Sequence, residues 1–280
     1  RRSSDLVEKG RSIDDFKEGF RSVITDMEQE VQKRLGLSSS EGLIPMEKKN
    51  ANVLFVGLSG AHSIIHPAVI FNAAKEDWTL SFFEAVNFGM FAGDPEKTQI
   101  IADRVVNEAK ALGVKEVVIV ECGTAYRIPK FMLGPLPFKV TSIVEKIHRY
   151  LGEGRIRIKE GAITQPVTYH DPCQLGRNAG VYDEPREILG RLAPDYREMS
   201  PTREYNWCCG GGGGLVALDN EEFRIKTGKA KKDQIDATGA KIVVSACENC
   251  ILQLNTIKDG YGLDVEVRSL SELVADNLAI

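Results

Sequence analysis

The sequence predicts an α/β protein of two pseudo-symmetric, duplicated lobes with mainly parallel sheets, preceded by an N-terminal helical segment. Three observations predict it. Short apolar, β-branched runs alternate with amphipathic helical stretches, the order that builds parallel sheets. The run "VLFVGLS" (53–59) has a counterpart in "VTYHDPC" (167–173). The stretch "ADRVVNEAKALGVKEVVIVECGTA" (102–125) matches "TGKAKKDQIDATGAKIVVSACENC" (227–250), each an amphipathic helix, a glycine turn, a buried strand and a cysteine loop. A spacing of about 115 to 125 residues between counterparts is too long for a solenoid and fits duplicated lobes.

Taken in order, "SIDDFKEGFRSVITDMEQEVQKRLGL" (12–37) sets Ile13, Phe16, Phe20, Val23, Ile24, Met27, Val31 and Leu35 at helical spacing, with Ser12 and Asp15 as its cap. The polar stretch "SSSEGLIPMEKKN" (38–50) breaks that pattern and reads as a linker. The domains expected are therefore the helix and linker over 1–50, a first lobe over 51–160 and a second over 161–280. In such parallel folds the loops at the strand C-termini carry the chemistry. The segment "IPKFMLGPLPF" (128–138) is stiffened by its prolines and reads as a covering loop or a docking site for a redox partner.

At 280 residues the chain can bury a sizeable core, and 42% hydrophobic with 27% charged residues is ordinary for a soluble globular protein. A net charge of −4 and a pI near 5.7 argue against nucleic acid or an anionic membrane surface as partner. The longest apolar stretch is interrupted by Gly57, Gly60, His62, His66 and Pro67, so no membrane span is expected there. The start "RRSSDLVEKG" shows no secretory pattern and no methionine. It fits a fragment or a processed product and leaves room for a domain upstream.

The cysteines carry the chemistry. Five of six, Cys173, Cys208, Cys209, Cys247 and Cys250, lie in the last 110 residues, which favours metal over disulfides. Their pattern is Cys-x34-Cys-Cys-x37-Cys-x-x-Cys, delivered by three loops. Tetrahedral zinc needs four ligands, usually as two short cysteine pairs. Two adjacent cysteines chelate one ion poorly but reach two neighbouring irons, so a multi-iron centre fits better, with zinc as the alternative. The glycines of "NWCCGGGGG" (206–214) would let backbone approach such a centre and offer N–H groups to sulfur. A phosphate loop would need Gly-Lys-Ser/Thr, which does not follow. A thioredoxin-like dithiol of Cys247 and Cys250 alone leaves three cysteines unexplained.

"YHDPCQLGR" (169–177), "CCGGGGG" (208–214) and "SACENC" (245–250) resemble the cysteine-rich CCG domain of heterodisulfide reductase catalytic subunits. The resemblance covers about residues 51–280. The pattern "ECGTAYR" with its degenerate first lobe looks closest to the K-subunit type of the membrane redox complex accompanying dissimilatory sulfite reductase. It implies one non-cubane [4Fe–4S] cluster on Cys173, Cys208, Cys209, Cys247 and Cys250, and an oxidoreductase that reduces or forms a disulfide or trisulfide. It also implies sulfur metabolism in anaerobic respiration and other subunits of a membrane-associated redox complex as partners. A small sulfur-carrier protein or disulfide is the implied substrate, and the location is cytoplasmic, peripheral to a membrane at most through partner subunits. Family members often carry a ferredoxin-like segment upstream. This chain has no such cysteine run, so its electrons are expected from an upstream region or a partner. The first lobe departs from the duplicated pattern: Ser59 stands opposite Cys173, "VNFGMFAGD" (86–94) opposite the CCG run and Ala125 opposite Cys250. Cys122, opposite Cys247, alone remains there, as a redox thiol or a buried structural cysteine.

Several other residues have two readings. His170 and Asp171 either serve proton transfer at the cluster or shape the turn. Arg127 and Arg177 follow cysteine loops and could draw in an anionic substrate. His62 and His66 read as satisfied buried histidines. Lys226, Lys229, Lys231 and Lys232 read as a solvated basic helix face. The function expected is a disulfide reductase-type iron–sulfur subunit, with an electron relay or a zinc-stapled module as alternatives.

Overall fold

The computed structural model describes residues 13–57, 62–82, 93–212, 214–217 and 220–280. Ser12, Ser59, Gly213 and most of the 86–94 segment lie outside the described residues. The chain forms two compact units. One comprises the residues up to Val120 with Ile128–Ile143 and Ile280, the other Glu121–Arg127 and Val144–Ala279.

In the first unit, helix α1 (Ile13–Leu35) buries Met27, Val31 and Leu35, a stripe at four-residue spacing. Strands β1 (Val53–Gly57), β2 (Trp78–Phe82), β3 (Glu116–Ile119) and β4 (Lys139–Ser142) form a sheet of order β2-β1-β3-β4 in which every pair is parallel. All five residues of β1 are buried, as a central parallel strand covered on both faces requires. Helix α2 (His62–Ala73) supplies Phe71, whose ring meets Phe55 edge-on at 5.4 Å. Helix α3 (Pro95–Leu112) starts on Asp94, whose side chain accepts from the Lys97 N–H, and stops at Gly113 with φ 68°. His62 is exposed and His66 half-buried, so they are not the buried histidines the apolar segment suggested.

The second unit opens with α4 (Gly123–Arg127) and takes most of α5 (Ile143–Gly152). Its strands are β5 (Val167–His170), β6 (Tyr196–Arg197), β7 (Ile242–Ser245) and β8 (Glu266–Ser269), again all parallel, in the order β6-β5-β7-β8. Between them run α6 (Asp183–Leu192), α7 (Glu221–Thr227), α8 (Lys229–Thr238) and α9 (Glu248–Tyr261), with α10 (Leu270–Asp276) after β8. Ser269 and Glu272 close a capping box on α10.

Both sheets share one strand order, which bears out the duplicated, parallel α/β fold. Each chain half starts at an inner strand, moves outward, then crosses to the other side. In the second unit that reversal lies between β5 and β7, the position where ligands bind in open parallel sheets. Among the described residues no helix is long and apolar enough to cross a membrane.

Leu54, fully buried in β1, tests the sheet. Leu54→Ala should cost about 2–5 kcal/mol by the denaturant midpoint, and Leu37→Ala, on an exposed side chain, less than about 0.5 kcal/mol.

Candidate metal centre

Three loops at the C-terminal ends of the second sheet deliver the five cysteines. Cys173 follows β5, Cys208 and Cys209 follow β6, and Cys247 ends the β7 loop as the residue before α9, which carries Cys250 in its first turn. Parallel pairing of His170 with Ser245 brings the β5 and β7 exits side by side.

The sulfurs converge. Cys209 and Cys250 lie 3.4 Å apart, Sγ to Sγ. Cys208 is hydrogen-bonded to Cys173 and to Cys209, and Cys247 to Cys250, so the five thiols form one continuous chain. The Gly210 N–H donates to Cys208 Sγ at 3.4 Å. Cys209, Cys247 and Cys250 are buried, Cys173 is half-buried and Cys208 exposed. The hydrogen bond with Cys173, and after it that with Cys209, hold the Cys208 thiol far below its usual range. Its partner Cys173 is raised, first by that bond and then by burial. Cys247 is likewise lowered by Cys250, while Cys250 is raised by its bonds to Cys209 and Cys247. Cys209 is pushed up to about 12, chiefly by Cys208. The thiols at Cys208 and Cys247 are thus the ones favoured to give up a proton, as metal binding requires of its cysteine ligands.

A donor set of five sulfurs exceeds what one tetrahedral ion uses and fits a multi-iron group. Cys122 adds a sixth thiol. Residues Glu121–Arg127 belong to the same unit, and the Glu248 N–H donates to the Glu121 carbonyl at 2.9 Å. Burial, and next the charge of Cys247, push the Cys122 thiol up to about 12. A Cβ on Gly123 would come 2.5 Å from the Leu175 backbone nitrogen, so the Cys122 turn presses against the Cys173 loop.

The glycine run has a packing role as well as the one the sequence suggested. Gly210 has φ +88°, and a Cβ there would meet the Thr227 carbonyl at 2.9 Å; one on Gly211 would meet Gln253 Cβ at 2.7 Å. At Gly212 the nearest atom would be sulfur, Cys208 Sγ at 3.8 Å.

Behind the thiols stands a polar layer. Asp171 accepts two parallel hydrogen bonds of 2.8 Å from Arg186 and a third of 3.0 Å from the Arg203 N–H. That clamp fixes the turn carrying Cys173. Arg177 donates to the carbonyls of Glu204 and Asn206, and Arg127 to Gln174 Oε1 at 2.7 Å; both guanidinium groups tie loops together.

Lys231 corrects an expectation. It is fully buried, not solvated. It donates to Asn206 Oδ1 at 2.7 Å, to Gln234 Oε1 and to Met199 Sδ at 3.6 Å. Burial lowers its pKa to about 8 against the raising influence of Cys209 and Cys250. Isolated helical periodicity could not find it, because the amphipathic face of α8 turns toward the site. Glu121 was missed too, although "VECG" ends a buried strand with an acid: it is 2% exposed, and burial raises it to about 8. His170 Nε2 is buried without a hydrogen-bond partner, and one ring nitrogen of His170 lies with the Cys209 and Cys250 sulfurs in a group whose ligand atoms are all within 4.8 Å of one another.

Residues 167–255 match the cysteine-rich domain family model named CCG. The chain carries a CCG domain. That domain contains all five cysteines, and the heterodisulfide reductase-like resemblance read from the sequence is borne out by its relatives. The chain is 33% identical over 192 residues to one subunit of the dihydromethanophenazine:CoB–CoM heterodisulfide reductase of Methanosarcina mazei, covering 64% of this chain and 45% of that protein. It is 25% identical over 293 residues to the Hdr-like menaquinol oxidoreductase iron–sulfur subunit of Archaeoglobus profundus, covering 84% and 52%. A third relative, the EtfAB:quinone oxidoreductase of Syntrophomonas wolfei, is 31% identical over 157 residues, covering 53% and 21%. The chain thus spans about half the length of the first two relatives.

Glu121 gives a pH test. The unfolded carboxyl loses its proton near 4.5, the folded one near 8, so between these values the unfolded chain binds fewer protons and stability falls as pH rises. Glu121→Gln, which keeps an acceptor for the Ser271 N–H, should remove that slope. Against wild type it should gain on the order of a few kcal/mol at pH 8 and little below pH 5, in denaturation series across pH.

Proposed function

We propose that this chain is a catalytic subunit of a heterodisulfide reductase-like oxidoreductase whose Cys173, Cys208, Cys209, Cys247 and Cys250 hold one non-cubane [4Fe–4S] cluster. The observation that carries this reading is the convergence of five sulfurs from three loops on one spot, with the Cys209 and Cys250 sulfurs 3.4 Å apart. The CCG match and the iron–sulfur subunit among the relatives support it. When bound, the cluster supplies electrons one at a time to a sulfur–sulfur bond.

The reaction proposed is RSSR′ plus two electrons and two protons giving RSH and R′SH, or its reverse. The chain's own residues do the rest. Cys209, Cys247 and Cys250 anchor the group on its buried side, while Cys208 and the half-buried Cys173 face the side from which a disulfide, a trisulfide or a small sulfur-carrier protein would approach. The Asp171–Arg186 clamp keeps the Cys173 loop in place during turnover. Cys122, partly exposed beside the Cys247 loop, is assigned the role of an accessory redox thiol. Electrons would arrive from a ferredoxin-like region upstream or in a partner subunit of a membrane-associated complex. Any membrane association is proposed to run through those partners.

Anaerobic metal and acid-labile sulfide analysis of natively assembled protein, with EPR after mild oxidation, tests this. About four irons and four sulfides per chain are expected, with a signal that changes on adding a thiol. Cys209→Ser should lower the iron content and abolish the thiol-dependent change, and Cys122→Ser should keep the iron. Stoichiometric zinc without sulfide would overturn the proposal in favour of a structural site. A full cluster indifferent to thiols and disulfides would leave only electron relay.

A further inference from the structure

Around His170 the hydrogen bonds have a fixed polarity. Lysine has donors only, and Lys231 Nζ, fully buried, sits 2.7 Å from Asn206 Oδ1. Its second partner, Gln234 Oε1, is also fixed as an acceptor, because Gln234 Nε2 donates to the Pro201 carbonyl at 3.0 Å. The Asn206 amide is therefore oriented twice over. Its oxygen accepts from Lys231, and its nitrogen donates to the Asp171 carbonyl at 2.9 Å.

That same nitrogen, Asn206 Nδ2, lies 3.3 Å from His170 Nδ1. Two donors cannot face each other, so Nδ1 is the imidazole's acceptor and its proton is on Nε2. Nε2 is the buried atom without a hydrogen-bond partner, and a ring nitrogen of His170 is grouped with the Cys209 and Cys250 sulfurs within 4.8 Å. By proximity alone His170 would count as a third ligand beside two cysteines. The network argues otherwise, since a nitrogen that carries a proton has no lone pair for a metal.

We propose that His170 is a positioning residue whose unpartnered Nε2–H is kept for a ligand sulfur of the assembled centre rather than the ring ligating the metal, in a tautomer set by Lys231 through Asn206. The inference builds on the cluster reading for its consequence and on the hydrogen bonds alone for the tautomer. An N–H donated to ligand sulfur stabilises the more negative, reduced state of a cluster and so raises its potential. The same geometry fits His170 poorly as a proton shuttle: Nδ1 is engaged by Asn206, and Nε2 is buried without a partner to pass a proton to among the described residues. The buried cation completes the device. Lys231 feels Cys209 and Cys250 electrostatically, so its charge and the polarity of the relay act on the sulfurs in the same direction.

The test uses the full chain with its native metal and ¹⁵N-labelled histidine. Two-bond ¹⁵N–¹H spectra of the diamagnetic state read which ring nitrogen holds the proton, and pulsed EPR of the paramagnetic state reads how His170 couples to the cluster. The wild type should show the Nε2–H tautomer, weak nitrogen coupling and a coupled proton that exchanges in D₂O. Asn206→Asp, nearly the same shape, would accept from both Lys231 and His170, and should switch the proton to Nδ1 and erase the exchangeable coupling. His170→Leu should lower the reduction potential with iron retained, and His170→Gln, which restores an N–H donor, should recover part of the loss. An Nδ1–H tautomer in wild type, or strong nitrogen coupling from direct ligation, would overturn the proposal. So would an unchanged tautomer in the Asn206→Asp protein. Metal and sulfide content of the same sample judges the cluster reading separately. In a zinc-loaded, sulfide-free protein the tautomer result still decides the relay.

Discussion

Parallel pairing is the constraint on which the site depends. Strands that run in one direction finish at one edge of the sheet, and each must be followed by a crossover before the next can begin. In the second unit the exits of β5, β6 and β7 therefore share an edge, and the reversal of direction between β5 and β7 opens a gap there. Cysteines separated by 34 or 37 intervening residues meet in that gap because the sheet register, with His170 beside Ser245, brings the strand exits together. The cysteines did not need to be close in the chain. They needed to follow strands.

Converging five thiols raises an electrostatic problem, and the surrounding polar groups address it. Sulfurs that must deprotonate together repel one another, and burying them makes that repulsion stronger. The fold offers them backbone N–H groups, such as that of Gly210 on Cys208, and one buried cation, Lys231. An unpaired buried ammonium would cost several kcal/mol. Lys231 avoids this by meeting three acceptors, two of them amide oxygens whose orientation is fixed by other carbonyls. Asp171 and Arg186 solve the opposite problem, a buried carboxylate, through a bidentate pair that also holds the Cys173 turn. The loops are thus held by charges that are themselves satisfied.

Much of this was legible in the sequence. Strand and helix periodicities, the glycine turns after α3 and α8, and the matching cysteine loops are local signals, and the structure returns them as two sheets of equal strand order. The Cys-Cys and Cys-x-x-Cys spacings identified the converging thiols because those residue types are rare and clustered. What escaped depends on long-range packing. Lys231 sits in a lysine-rich helix, and nothing in α8 alone says which lysine turns inward. His62 lies on an apolar run yet is exposed, since it begins α2, where a helix end meets solvent. The glycines were read as room for a cluster, whereas Gly210 and Gly211 are held by the Thr227 backbone and by Gln253 on α9. Arg127 and Arg177 had suggested an anion site, but their hydrogen bonds go to neighbouring loops.

The gradient of exposure across the thiols links these pieces to chemistry. A purely structural metal site gains from enclosing every ligand, because water at one ligand opens a route to exchange and hydrolysis. Here burial is uneven: Cys209, Cys247 and Cys250 are enclosed, while Cys208 is exposed and the neighbouring Cys173 half-buried. The exposed Cys208 is also a sulfur that the network favours as thiolate, through its bonds with Cys173 and Cys209. On the proposed reading, an accessible sulfur backed by three enclosed ones would leave one side of the centre open to a reacting group while the other stays anchored. The clamp at Asp171 and the close packing of Gly211 against Gln253 then have a common purpose. They keep the open side rigid, so that access is gained without loosening the loops that hold the sulfurs together.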